Sequence, residues 1–178
     1  MGAPSRSVLV TGGAGFIGAQ LVAELARERG ALETIVSLDV RDVAAADHLQ
    51  GVFYATGDIR GPEVTKLLRA HTVDTVVHLA AVVTPGPRDT RETLHAIDVG
   101  GTRNVLDACL ATDVRRLVVT RSGAAYGSHV DNPVPLDERD ALRGNSEFAY
   151  SDHKREVEEL LARARDEHPE LEQLVLRP

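Results

Sequence analysis

Tryptophan is absent from these 178 residues, aromatic residues make up only 3%, and cysteine and methionine occur once each. A single cysteine, Cys109, excludes an internal disulfide and reads as a small residue on a helix face. No apolar run is long enough to span a bilayer. The stretch Met1 to Ser7 has no signal-peptide core, so the cytoplasm is the default location. Positive charge is in deficit, with 20 Lys+Arg against 27 Asp+Glu and a formal net charge of −7. That balance offers no electrostatic reason to bind nucleic acid or an anionic membrane. Lysine is scarcer still. Only Lys66 and Lys154 are present, against 18 arginines. In a chain that uses arginine for plain surface charge, a lysine marks a task that needs a compact ammonium. The seven histidines show no metal-binding spacing, and no metal is expected. His78 ends an apolar run and is expected to be packed and hydrogen-bonded, the other histidines to lie at the surface. Repeats, low-complexity tracts and charged tails are also lacking.

What remains is the composition of a globular chain, 43% hydrophobic and 26% charged, and its length suits one domain with a substantial core. Short apolar runs alternate with helical patterns. Strands are predicted near 7–11, 33–38, 52–56, 75–80, 116–120 and 172–176, and helices near 16–29, 61–71, 89–111 and 147–167. The runs at 75–80 and 116–120 are almost continuously apolar, as in parallel strands covered on both faces. The alternation predicts an α/β fold, a doubly wound parallel sheet of about six strands with helices on both faces. Ligands of such sheets bind at the carboxyl ends of the strands. The stretch 121–146, rich in Gly and Pro, reads as a long ordered loop of the kind that carries function.

Thr11-Gly12-Gly13-Ala14-Gly15-Phe16-Ile17-Gly18 follows the apolar run Val8-Leu9-Val10 and opens a helical pattern through Leu21, Val22 and Leu25. The glycines fit both G-x-G-x-x-G and G-x-x-G-x-x-G. At a strand-to-helix turn they let the backbone approach a pyrophosphate, whose charge meets free N–H groups and the positive end of the helix dipole. Asp39 closes the next apolar run, 21 residues past Gly18, near the distance expected of a carboxylate that binds an adenosine ribose. A nucleoside-triphosphate loop is disfavoured, because Ala19-Gln20 follow Gly18 where Lys-Ser/Thr would be required.

Tyr150-Ser151-Asp152-His153-Lys154 is the second signal. On a helix, positions four apart share a face. An ammonium beside a phenol favours the phenolate, which can exchange a proton with a secondary alcohol while hydride leaves the same carbon. Ser122 follows the fifth strand, at the edge where ligands bind, and its hydroxyl can donate to a substrate oxygen. Its plainer role is to form the turn before Gly123.

With these residues in view the chain resembles the extended short-chain dehydrogenase/reductases, the NAD-dependent epimerase/dehydratase family that includes UDP-glucose 4-epimerase. The resemblance rests on the glycine segment 11–18, Asp39, Asp58-Ile59, His78-Leu79-Ala80-Ala81, Gly101 to Leu106, Ser122 through Tyr126-Gly127, Tyr150 with Lys154, and Leu176-Arg177-Pro178. It implies a Rossmann fold and NAD as cofactor. By position, Gly12, Gly15, Phe16, Ile17 and Gly18 would hold the pyrophosphate and Asp39 the adenosine ribose. Asp58 and Ile59 would flank the adenine, and Leu79, Ala80 and Ala81 would line the cleft. Thr120 would lie beside the nicotinamide. Ser122, Tyr150 and Lys154 would be catalytic, with Lys154 also on the nicotinamide ribose. The implied substrate is a secondary alcohol of a nucleotide-sugar. The resemblance also implies a homodimer through the helices near 89–111 and 147–167.

Two residues depart from the family pattern, and the length of the chain is a third departure. Asp98 occupies a position usually held by asparagine, and Arg121 one usually held by a second serine; Arg121 either reaches an anionic substrate group or faces solvent, and the solvent-facing reading is favoured. Gly123-Ala124 replaces the Asp-Glu pair of the 4,6-dehydratases, which disfavours dehydratase chemistry and leaves epimerase or dehydrogenase. Members of the family continue into a substrate-binding part beyond the point where this chain stops at Pro178. Residues 1–178 are therefore expected to form the NAD-binding domain and to bind NAD with little turnover. The rival expectation is a catalytically silent NAD-binding or interaction module. A methyltransferase would also use a glycine loop and an acid after the second strand, but would leave Tyr150 and Lys154 without purpose.

Overall fold

Six short strands, rich in β-branched and leucine side chains, assemble into one parallel sheet. The computed structural model describes residues 4–178; the first three residues of the Met1–Ser7 stretch lie outside the described residues. The strands are β1 (Ser7–Thr11), β2 (Thr34–Asp39), β3 (Val52–Thr56), β4 (Thr75–His78), β5 (Arg116–Thr120) and β6 (Glu172–Leu176). They lie in the order β3-β2-β1-β4-β5-β6, and every pairing is parallel. This is the doubly wound arrangement expected from the alternation of runs. Strand order reverses between β1 and β4, which opens a crevice at their carboxyl ends.

Pleating sends alternate residues to opposite faces, and each face has its own core. Val8, Val10 and Ile35 face helix α1 (Phe16–Arg27), which buries Val22 against them with Leu21 and Leu25 alongside. Leu9, Val36, Val76 and Leu117 point the other way. They meet α2 (Glu63–Ala70) through Val64 and Leu68, and a helix later in the chain through Val105, Leu106 and Cys109. The last helix covers the same face with Val157 and Leu161. Cys109 is fully buried among these side chains, as its helix-face reading required, and burial pushes its thiol up to about 12.

The helical pattern at 89–111 is not one helix. It comprises α3 (Arg91–His95), a π-helical turn over Ala96–Gly100, and α4 (Gly101–Leu110). Apolar spacing cannot distinguish an i→i+5 turn from an i→i+4 turn, so the interruption was invisible to periodicity. Such turns widen the helix locally and often accompany functional sites. The last helix, α5, runs from Ala149 to Glu167. The apolar run at 75–80 was expected to be strand throughout, but β4 ends at His78, and Leu79 and Ala80 leave the ladder to form a cleft wall. Nor are β4 and β5 sealed on both faces: Val77 and Val118 are only half-buried.

The stretch 121–146 is a loop held by its own bonds. It begins with a 3₁₀ turn over Gly123–Tyr126. Tyr126 Oη then donates to the Asp137 carbonyl at 2.8 Å, and Gly144 N–H donates to the Ala125 carbonyl at 3.0 Å.

The turn from β1 into α1 is the tightest point of the fold. Gly12 sits at φ +73°, and a Cβ there would lie 2.8 Å from Ala80 N. A Cβ on Gly18 would lie 2.0 Å from the Gly12 carbonyl oxygen. The obstacle is backbone, which cannot swing aside as a flexible side chain would. Gly18→Ala should therefore lower stability by about 1–3 kcal/mol, the usual range for overpacking. Urea unfolding of the two proteins measures this difference, and equal midpoints would show that the turn opens without cost.

Candidate active site

The β1 turn, the ends of β2 and β3 and the segment after β4 enclose a cleft of about 510 Å³. Gly12, Gly15, Asp39, Asp58, Ile59, Leu79, Ala80 and Ala81, all singled out from sequence, line it together. Arg41, Val82 and Ile97 line it as well, and sequence reasoning had singled out neither Val82 nor Ile97. Gly18, Phe16 and Ile17 are not in the wall. Gly18 is buried under the turn, while Phe16 and Ile17 begin α1 and are 87% and 57% exposed. Their backbone N–H groups belong to the first turn of α1, where no partner within the helix exists, and Gly15 caps that turn without a side chain.

Asp39 is nearly buried at the end of β2. Its Oδ2 accepts from Ala14 N–H at 3.0 Å, and its Oδ1 accepts from Arg41 N–H at 3.0 Å and Arg41 Nε at 3.2 Å. Burial pushes this carboxyl up. The hydrogen bonds from Arg41 and Ala14 outweigh burial and hold it below the usual carboxylate range. The carboxylate thus ties the glycine turn to the β2 end and remains an anion in the cleft. Asp58 pairs with Arg60 at 2.6 Å, which lowers its carboxyl in the same way. The glycine cradle that a Cβ would fill, the unpartnered N–H groups of α1 and the anionic Asp39 together fit a dinucleotide.

Tyr150 and Lys154 stand one turn apart on α5, as their spacing required. Lys154 Nζ lies 4.9 Å from the centre of the Tyr150 ring, and the phenol itself is half-buried. The lysine is buried, and its Nζ donates to Asp98 Oδ2 at 3.3 Å. Burial and the nearby Arg121 lower Lys154 from its ordinary value, while Asp98 opposes them. The π-helical turn carries Asp98 inward to this position, and its Oδ1 accepts from Val82 N–H at 3.2 Å in the cleft wall.

Ser122 is half-buried and caps the 3₁₀ turn, its Oγ accepting from Ala124 N–H at 3.2 Å. The turn-forming role is real, and the hydroxyl proton stays available to another acceptor. Ser151, which sequence reasoning had passed over, donates to the Ala124 carbonyl at 2.6 Å. It fastens the Ser122 turn to the helix that carries Tyr150 and Lys154; its place inside Tyr-Ser-x-x-Lys was the available signal. Thr120 ends β5, half-buried beside Leu176 of β6, outside the cleft wall.

Two expectations are corrected. Arg121 does not face solvent: it is 6% exposed, and its Nη2 reaches only the Lys154 carbonyl, at 3.5 Å. Helix α5 packs over the end of β5 and covers the side chain, so that Nη2 meets the backbone of α5 and not water. His153 is likewise not at the surface; it is buried beside His95, with ring centres 5.2 Å apart. Among the described residues no cluster of His, Cys, Asp or Glu could hold a metal ion, and no helix is long and apolar enough to cross a membrane.

His78 is packed and hydrogen-bonded, as expected. Thr102 Oγ1 donates to the Asp98 carbonyl at 2.6 Å, so His78 Nε2–H donates to Thr102 Oγ1 at 3.0 Å. Nδ1 then accepts from the Thr11 hydroxyl at 2.7 Å, and Ala80 N–H donates to the same oxygen at 3.4 Å. This arrangement satisfies a neutral ring, the form that burial and the charges of Arg121 and Lys154 favour.

Residues 8–178 match the NAD dependent epimerase/dehydratase family. The chain belongs to that family. UDP-glucose 4-epimerase of Halalkalibacterium halodurans is 34% identical over 137 residues, covering 75% of this chain and 39% of its own length. 3 beta-hydroxysteroid dehydrogenase type 7 of Rattus norvegicus is 32% identical over 152 residues, covering 83% and 43% respectively. The crystal structure of UDP-glucose 4-epimerase from Brucella ovis in complex with NAD superimposes with a TM-score of 0.80 at 27% identity, over 97% of this chain and 51% of that one. The chain thus spans about half or less of the length of these relatives. The family is NAD-dependent, and the six-stranded parallel sheet is its Rossmann fold.

Burial of His78, with the positive charges of Arg121 and Lys154 nearby, lowers its value from 6.5 to about 3. On acidification the unfolded chain takes up this proton first. Stability from His78 is therefore complete above pH 6.5 and falls as pH drops from 6.5 towards about 3. The slope from this one group should be about 1.4 kcal/mol per pH unit. Urea unfolding across that range should show it, and His78→Gln should flatten the dependence; an unchanged slope would mean that other groups carry it.

Proposed function

We propose that the chain is the NAD-binding part of an epimerase or dehydrogenase that acts on a secondary alcohol of a nucleotide-sugar. The observation that carries this reading is the Lys154 ammonium held 4.9 Å from the Tyr150 ring. Gly12, Gly15, Phe16, Ile17 and Gly18 would hold the pyrophosphate on backbone N–H groups, and Asp39 the adenosine ribose. Asp58 and Ile59 would flank the adenine, with Leu79, Ala80 and Ala81 as the cleft wall and Thr120 towards the nicotinamide. When bound, NAD supplies the hydride acceptor. Tyr150 Oη takes the proton of the substrate hydroxyl and returns it in the reverse step. Lys154 favours the phenolate by its charge and would also donate to the nicotinamide ribose. Ser122 donates to the substrate oxygen and fixes its orientation, and the Ser151 bond to Ala124 holds the Ser122 turn in register with α5. A secondary alcohol suits both the sugar-nucleotide and the steroid relatives. The negative balance of the chain and its lone buried thiol fit a cytoplasmic enzyme, and pairing of two copies through α3 to α5 belongs to the same reading.

Asp39 would repel a 2′-phosphate, and Arg41 is engaged by Asp39 itself. NAD should bind at least ~tenfold more tightly than NADP, about 1.4 kcal/mol. Calorimetric titration of the 178-residue chain tests this, and equal or tighter NADP binding would remove Asp39 from the ribose site. In a longer chain that includes a substrate-binding part, Tyr150→Phe should cut turnover ~10²-fold or more with NAD affinity little changed, since it deletes an acid/base group and no cofactor clamp. Full activity of that variant would overturn the mechanism.

A further inference from the structure

Beneath the Ser122 turn lies a cluster of buried charge that this mechanism does not use in full. Lys154 is 3% exposed, Asp98 3% and Arg121 6%. Each comes from a different element: α5, the π-helical turn, and the residue after β5. The Asp98 carboxylate is bound on both oxygens, by Lys154 Nζ at 3.3 Å and by Val82 N–H at 3.2 Å. Arg121 is less well served. Its Nε is buried with no hydrogen-bond partner, and Nη2 reaches one backbone carbonyl. A guanidinium in that position survives only on the field of nearby anions, because leaving water with so few bonds is costly.

The groups around the cluster define its balance. His78 faces it from β4 and is neutral. Tyr150 faces Lys154 from the preceding turn of α5. Glu158, also on α5, acts on Arg121, but its two oxygens are taken by Arg177. His153, buried on α5 and edge-on to His95, lies in the field of Asp98, Arg91 and Glu156. Among the described residues, Lys154 and Arg121 therefore both depend on Asp98, the ammonium by a hydrogen bond and the guanidinium through the field of the carboxylate.

We propose that Asp98 and Arg121 are a matched pair of positioning residues: Asp98 anchors the Lys154 ammonium, and Arg121, buried against the Lys154 carbonyl, adds the charge by which the cluster stays net positive beside Tyr150. Asp98 alone would close a neutral pair with Lys154 and cancel the field that the phenol needs. Arg121 alone would set two cations against each other in a buried site. The pairing also accounts for the two departures from the family pattern occurring in one chain, since each charge compensates the other. This inference rests on the role proposed for Lys154, and it names the residues that set the charge there.

The scarcity of lysine makes the proposal measurable without cofactor or substrate. An isotope label on lysine side chains yields two signals in nuclear magnetic resonance, from Lys66, whose side chain is 70% exposed, and from Lys154. Lys154→Met assigns the buried one, and Lys66 serves as the internal reference. The signals are followed from neutral pH to the alkaline limit of folding. Asp98→Asn should move the Lys154 midpoint down by ~1 unit or more. Arg121→Gln should move it up, and the double variant should return it towards that of the unaltered chain. Changes that merely loosened packing would not move it in opposite directions. An unmoved Lys154 signal in Arg121→Gln would overturn the pair, and so would a double variant no closer to the unaltered chain than Asp98→Asn. If Asp98→Asn does not fold, Arg121→Gln alone decides. NAD calorimetry on the same samples separates the two readings: an unmoved lysine with normal NAD binding removes only the pair, whereas loss of NAD binding in the unaltered chain removes the function.

Discussion

Backbone of three segments meets at Gly12, and the rest of the site depends on that contact. The Gly12 carbonyl lies under Gly18, and the Gly12 Cα lies against Leu79 and Ala80. Side chains are excluded from this meeting point by van der Waals contact alone. Because α1 starts so close to β1, its first turn points its free N–H groups towards the crevice between β1 and β4. Because the segment after β4 presses on the same point, Leu79 to Ala81 form the wall opposite Asp39. Crevice, wall and helix terminus follow from one close approach at the switch point of the sheet.

A second constraint is electrostatic. Lys154, Asp98 and Arg121 are buried with little solvent around them, where charge interactions are much stronger than in water. A buried ion pair of this kind adds little net stability, because desolvation offsets attraction; removing one partner is what costs several kcal/mol. Its value lies in position. The hydrogen-bond chain from Ala80 through Thr11, His78 and Thr102 ends on the Asp98 carbonyl, so the cleft wall and the lysine anchor are parts of one network. Neutral His78 can sit among these charges because both its nitrogens are used and neither needs an extra proton.

Most of the architecture was legible because it depends on short-range pattern. Six apolar runs alternating with helical periodicity imply a parallel sheet, and the strand boundaries fell within two residues of those expected. The glycine segment, Asp39 and the Tyr150–Lys154 spacing are local motifs whose geometry follows once strand and helix are assigned. Less legible were features decided by packing between distant elements. Arg121 looked like a surface residue because arginine usually is one. Only the convergence of β5, α5 and the π-helical turn takes it inside. His153 was misjudged for the same reason, and the break in the 89–111 helix left no trace in apolar spacing.

The amino-acid sequence by itself determined the strand and helix order, the glycine turn, the acid at the end of β2 and the shared face of Tyr150 and Lys154. Each of these is set by residues within a few positions of one another, through backbone sterics and helical or pleated periodicity. The tertiary structure alone decided that Asp98 reaches Lys154 across 56 residues, that Ser151 clamps the Ser122 turn, and that Arg121 is buried beneath it. Those relations depend on how helices and strands far apart in the chain pack, and on the low dielectric that packing creates. No periodicity in the chain encodes either.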